Sequence, residues 1–173
     1  MVAHGRLCVS IQAQTRKDQI ISGLIDTRNR ILDAASELSP VEQDKVFLGI
    51  WSVKDLLAHL VGWDYANLEA AEKVLEGELP GFYAYEDRDW TTYNARLVAE
   101  HRREDFEELL ASVKESHRKL INFLQTIPAE EFERDRNVRF RRYKVTISRL
   151  LQAEMKDEER HYQQIKAFRN RNQ

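Results

Sequence analysis

His59, Glu154, Asp157 and His161 are the side chains whose types and spacing best suit chemistry in this sequence. Glu154, Asp157 and His161 stand at i, i+3 and i+7 within RLLQAEMKDEERHYQQIKAF, so on a 3.6-residue helix they lie close to one line. That line also passes near Leu150, Ile165 and Phe168, so the polar groups interrupt an apolar stripe. Asp157 and His161 form an i,i+4 pair able to converge on one ion, and helical bundles hold metals with such a pair plus a ligand from a facing helix. His59, four residues before Trp63, offers that third ligand from a second apolar helix face. Two imidazoles and one carboxylate leave positions open on a divalent ion, the arrangement of a catalytic metal, and zinc, nickel, iron and manganese all suit the donors.

Each of these residues has a plainer reading. A single histidine on an apolar helix face is most often a satisfied core residue. Asp157, Glu158 and Glu159 also fit a solvated acidic face paired with Lys156 and Arg160. Glu154 favours the site, because a third polar side chain on that line is hard to place if the line is simply core.

These side chains must be positioned by helices. The 173 residues include only six glycines and three prolines, and long stretches are built from good helix formers, which makes the class all-α. Apolar periodicities predict four helices near 15–37, 52–77, 91–126 and 146–169, the third kinked near Arg102–Arg103. Ser52 with Asp55 has capping-box spacing at the second helix, and Thr146 suits the cap of the fourth. Between the second and third helices runs ELPGFYAYEDRDW, where Pro80–Gly81 and several aromatics mark a long crossover loop. Four long helices with one extended connection read as a four-helix bundle. Residues 1–14 show no firm helical period and read as a flexible tail ahead of a single domain over 15–173. His101 and His117, set among charged neighbours, read as surface residues.

Composition narrows the partners. With 27 basic against 29 acidic residues and a net charge of −2, the chain has no global attraction for duplex DNA or an anionic membrane. The sole cysteine, Cys8, permits no intramolecular disulfide, and no segment has the length and apolarity of a membrane span, so a reducing cytoplasm is the expected setting. One local exception is RDRNVRFRRYK, where six basic residues from Arg134 to Lys144 surround Phe140 and Tyr143 in a basic turn or short hairpin suited to phosphates and stacked bases.

WSVKDLLAHLVGWD at Trp51–Asp64 resembles the second-helix signature of the DinB-like superfamily, in particular its ClbS/DfsB-type branch. Weaker likenesses follow in WTTYNARLV, SHRKLINFLQTIPAEEF and HYQQI. The resemblance spans about residues 15–170 and implies a bundle with one histidine ligand on helix two and an H-x-x-x-H pair on helix four. His59 and His161 match the outer ligands, and Asp157 stands where the middle histidine is expected. The resemblance also reaches relatives that work without a metal, so a cleft holding a small molecule with no ion is an equal alternative. It implies a small-molecule hydrolase or thiol-dependent transferase acting on an electrophile. Glu154 or Glu158 would be the proton acceptor, and Trp63, Tyr85, Trp90, Tyr93 and Asn94 the substrate contacts. The alternative is a non-catalytic protein of the same fold that sequesters a small molecule or touches nucleic acid through Arg134–Lys144. A homodimer is the expected association, because long bundle helices often find a symmetric partner.

Overall fold

In the computed structural model the described residues are 2–84 and 89–172, with side chains described over 11–83 and 89–171. Six helices follow in order: α1 (Val2–Ser36), α2 (Pro40–Asp44), α3 (Val53–Glu76), α4 (Trp90–His101), α5 (Phe106–Thr126) and α6 (Ile147–Asn172). A two-stranded hairpin, β1 (Arg139–Phe140) and β2 (Tyr143–Lys144), precedes α6. The all-α bundle is formed by α1, α3, α5 and α6, with α1 packed on α6 and α3 on α5, while α4 lies along α3. None of the helices is long and apolar enough to cross a membrane among the described residues.

Local chemistry sets most boundaries. At the start of α3 the Ser52 backbone N–H donates to Asp55 Oδ2 at 2.9 Å and Ser52 Oγ accepts from the Asp55 N–H at 3.2 Å, the reciprocal cap that the spacing predicts. Gly77 closes the helix at φ 82°, a left-handed conformation suited to glycine. The Arg149 N–H donates to Thr146 Oγ1 at 3.3 Å at the head of α6. Gly62 lets α4 approach, since a Cβ there would sit 2.6 Å from Leu97 Cβ.

Two boundaries differ from the sequence reading. The expected third helix is two helices, because Arg102 turns extended at ψ 141° and Asp105 caps a new start by accepting from the Glu108 N–H at 2.8 Å. The change of direction lets α4 cover α3 while α5 joins the bundle. The first helix reaches upstream of Thr15 to Val2, so the stretch read as a tail continues the backbone of α1.

The core consists of two apolar clusters, one containing Leu24, Ala70, Leu120 and Leu151, the other Ile31, Leu60, Val113 and Ile165. Between them, in the middle of all four bundle helices, lies a charged layer. Arg28 of α1, 1% exposed, donates to both oxygens of Asp64 on α3 at 2.7 and 2.9 Å and to both oxygens of Glu158 on α6 at 2.6 and 3.2 Å. Ser116 Oγ of α5 donates to Asp64 Oδ2 at 2.6 Å, and His117 Nδ1 stands 3.6 Å from Asp64 Oδ1. His117 is therefore buried, not a surface residue as its charged neighbours suggest: it lies on the inward side of a helix whose other faces carry the charges. Burial alone would raise the Asp64 carboxyl, but Arg28 and His117 outweigh it and hold the group below the usual carboxylate range. The Arg28 guanidinium is raised further still by its two carboxylates against the cost of burial.

Removing the cation would leave two carboxylates facing each other in the core. Arg28→Ala is expected to lower the unfolding free energy by about 3–5 kcal/mol, and Arg28→Lys to recover only part, because an ammonium cannot fork onto two carboxylates. Urea unfolding of the two variants measures both effects.

Candidate functional site

A cleft of ≈ 470 Å³ opens between α3, α4 and α6. Its lining combines aromatic rings, those of Trp51, Trp63, Phe82, Tyr83 and Trp90, with polar groups from His59, Asn67, Glu154, Asp157 and His161. The helix period explains the polar row, since α6 presents Glu154, Asp157 and His161 to the cleft while α3 presents His59 and Asn67 two turns apart.

His59, Asp157 and His161 come together, with one ligand-type atom from each lying within 4.8 Å of the others. The imidazoles of His59 and His161 meet edge to face with centroids 5.5 Å apart, and Trp51 packs on His59 at 4.8 Å. His161 Nδ1 lies 2.8 Å from Gln164 Oε1, a contact that fixes the ring and turns Nε2 toward Asp157. That Nε2 stands 3.1 Å from Asp157 Oδ2 but off the line of a hydrogen bond, and His59 Nδ1 is likewise buried without a hydrogen-bond partner. Burial, and then the neighbouring His161, push the His59 imidazole down to about 3, so it is neutral at physiological pH with a lone pair to offer. Burial opposes ionisation of Asp157, but His161 and Arg160 prevail and keep it below the usual range. Orphaned nitrogens beside an ionised carboxylate suit a divalent cation.

The acidic row divides three ways and is not one solvated face. Asp157 is half-buried toward the cleft with Arg160 on its other oxygen, Glu158 is 1% exposed and bound to Arg28, and Glu159 is exposed and paired with Arg30 at 2.8 Å. Glu158 thus does not line the cleft, and its oxygens are engaged. A second group of ligand-type atoms, Asp64, His117 and Glu158, is served by the Arg28 guanidinium, which already supplies the cation.

Glu154 lines the cleft and is buried. Burial first, then the Glu158 charge, push its carboxyl up to about 8; the Asn67 amide pulls the other way and the Asp64 charge adds a smaller push. That amide nitrogen approaches without meeting hydrogen-bond geometry and has no partner. Among the expected substrate contacts, Trp63, Trp90 and Asn94 line the cleft. Asn94 Oδ1 accepts from the Trp63 indole N–H at 3.1 Å and so holds the wall between α3 and α4. Tyr93 is 7% exposed, packs against Trp63 with centroids 5.6 Å apart, and supports the wall without lining it. Tyr85 lies outside the described residues. The sequence reading gave no role to Arg28, Asp64, Asn67 or Gln164; the first three interrupt apolar runs, a signal of the kind that marked Glu154.

The fold and site define a DinB-type helical bundle. The family model of the DinB superfamily matches residues 19–165, and the chain belongs to that superfamily. The colibactin self-resistance protein ClbS, solved in complex with a dsDNA, superposes with a TM-score of 0.71 at 16% identity, over 88% of this chain and 94% of that chain. An uncharacterised protein from Escherichia coli UTI89 does so with a TM-score of 0.70 at 13% identity, over 90% and 94%. Comparison with curated proteins gave no match.

The raised carboxyl of Glu154 has a consequence for stability. The unfolded chain releases this proton near 4.5 while the folded chain keeps it to about 8, so the contribution is fully present at low pH and is lost as pH rises through that interval. Glu154→Gln should flatten the decline. The difference in melting temperature between variant and wild type, followed against pH, isolates it from the opposite effect of His59, whose contribution is lost on the acid side as pH falls from 6.5 toward about 3.

Proposed function

We propose that the chain takes a small, largely apolar electrophile into this cleft and acts as a metal-dependent hydrolase or thiol-dependent transferase, with a divalent ion held by His59, Asp157 and His161. The observation that carries the reading is the convergence of two buried imidazole nitrogens without a hydrogen bond, His59 Nδ1 and His161 Nε2, on the Asp157 carboxylate. A bound ion supplies Lewis acidity and lowers the pKa of a coordinated water or thiol. The donor set suits zinc, nickel, iron or manganese, and the carboxylate in place of a third imidazole shifts preference toward harder ions.

The chain's own groups have distinct tasks. Gln164 orients His161, while the neighbouring aromatic rings fix His59 and exclude water from the apolar side of the cleft. Glu154 holds its proton at neutral pH, which suits it to donate to a leaving group or a bound acceptor, in contrast to the acceptor role that the sequence suggests. Glu158 keeps Arg28 in place and supplies part of the field that protonates Glu154.

A second reading, contact with nucleic acid, is favoured by the basic hairpin and by the ClbS structure containing dsDNA. Phe140 stacks on Tyr83 at 4.5 Å, which brings the hairpin beside the cleft. Its charge is partly spent internally, because Arg134 and Arg136 pair with Glu131, and Arg139 and Lys144 with Asp135. Arg141 and Arg142, at the hairpin turn, are the remaining cations of the six.

Two measurements separate these readings. Chelation of protein purified without a nickel column should lower its melting temperature and added zinc restore it, by mass action on the native state. His161→Ala should abolish that shift and Glu159→Ala leave it intact; no shift in the wild type overturns the metal reading. For nucleic acid, replacing Arg141 and Arg142 together by Ala should reduce the slope of log affinity for a DNA duplex against log salt by about two, and an unchanged slope removes the hairpin from the interface.

A further inference from the structure

Asn67 is 3% exposed, lines the cleft from α3, and its amide nitrogen is buried without a hydrogen-bond partner. A buried donor left unpaired is costly, so its persistence at the wall of a cavity calls for an acceptor supplied from the cavity. Glu154 is the facing polar group on α6 and is itself buried. From this arrangement we infer that Asn67 and Glu154 form a paired-donor subsite for a carbonyl oxygen, so that the substrate is a small aromatic or apolar molecule bearing a ketone, ester or amide group. This rests on the reading of the cleft as a small-molecule site and names the class of molecule.

The chemistry of the lining agrees with that class. Trp63, Trp90 and Phe82 pack with centroids 5.5–6.1 Å apart and offer ring faces and edges to a planar body. Beside them, one turn along α3 from Trp63 and on facing α6, the Asn67 N–H and the Glu154 O–H present two hydrogens. The Glu154 proton is retained at neutral pH because burial and the Glu158 and Asp64 charges hold its carboxyl at about 8. One carbonyl oxygen has two lone pairs and no hydrogen, so it satisfies both donors without bringing a further donor into an apolar cleft, as a hydroxyl or an amine would. A carboxylate would bring a third negative charge near Glu158 and Asp64, so a neutral carbonyl is preferred. The carbonyl is then held on the wall that also carries His59, Asp157 and His161. Asn67 acts here as a specificity residue through direct contact with the bound molecule.

The test uses acetophenone and ethylbenzene, which share a phenyl ring and differ by the carbonyl, titrated into ¹⁵N-labelled full-length protein at neutral pH. Both probes should shift the indole N–H resonances of Trp63 and Trp90. Only acetophenone should shift the Asn67 side-chain amide pair, and it should bind about tenfold more tightly than ethylbenzene. Asn67→Leu should remove that preference while ethylbenzene binding persists. Should this variant fail to fold, the amide shift and the affinity ratio in the wild type decide the matter alone. Equal affinity of the two probes with a silent Asn67 amide overturns the subsite and leaves the apolar cleft standing. Indole resonances unmoved by either probe overturn the small-molecule cleft and the subsite with it.

Discussion

A single arginine meeting two carboxylates at the centre of the bundle constrains the rest of the structure. Arg28 joins α1 to Asp64 on α3 and to Glu158 on α6, and Ser116 brings α5 to the same point through Asp64. Each bundle helix thus gives at least one polar side chain to a layer flanked by apolar clusters. Hydrophobic burial drives assembly, but apolar side chains tolerate sliding and rotation; a bidentate guanidinium does not. Shifting α1, α3 or α6 by a turn would leave a charge buried without its partner, at a cost of about 3–5 kcal/mol, a large share of a domain's stability. The layer therefore fixes register and rotation for all four helices. That fixed rotation is what turns His59 and His161 toward each other.

The same layer reaches the cleft electrically. Its two carboxylates share one guanidinium, so excess negative charge remains in a region of low dielectric. Glu154 lies one turn before Glu158 on α6 and feels that charge along with its own burial, which is why it keeps its proton near neutrality. His59, across from it on α3, is kept neutral by burial and by its histidine neighbour. A protonated carboxyl and a neutral imidazole thus share one cleft, the separation of protonation states from which acid–base sites are built. The aromatic wall depends on the break at Arg102–Asp105: α4 turns back over α3, and Asn94 holds the Trp63 indole in place.

Function follows from these features only as far as they reach. Membership of the DinB superfamily and likeness to ClbS give the scaffold, and at 16% identity the scaffold is all that the likeness carries. The arrangement of the two histidines, the aspartate and the protonated glutamate is read from this chain's own geometry. They support chemistry on a small molecule more directly than the hairpin supports contact with nucleic acid, because much of the hairpin's charge is paired within it.

By itself the sequence determined the helices and most of their ends, because periodicity, capping spacing and glycine placement are local properties. The Ser52–Asp55 cap, the Thr146 cap and the stop at Gly77 are written in neighbouring residues. It also marked Glu154, Asp157 and His161, since a polar row along an apolar stripe is visible in one helix alone. Tertiary structure decided what each polar residue meets. Glu158 and Glu159 are adjacent and chemically identical, yet one is sealed against Arg28, 130 positions away, and the other lies on the surface with Arg30. Residues next to each other on a helix point about 100° apart, and which direction is inward depends on the helices packed around it. His117 is buried for the same reason, and the Asn67 donor is unpaired because of what stands opposite it. Such pairings cross the bundle, and no local pattern encodes them.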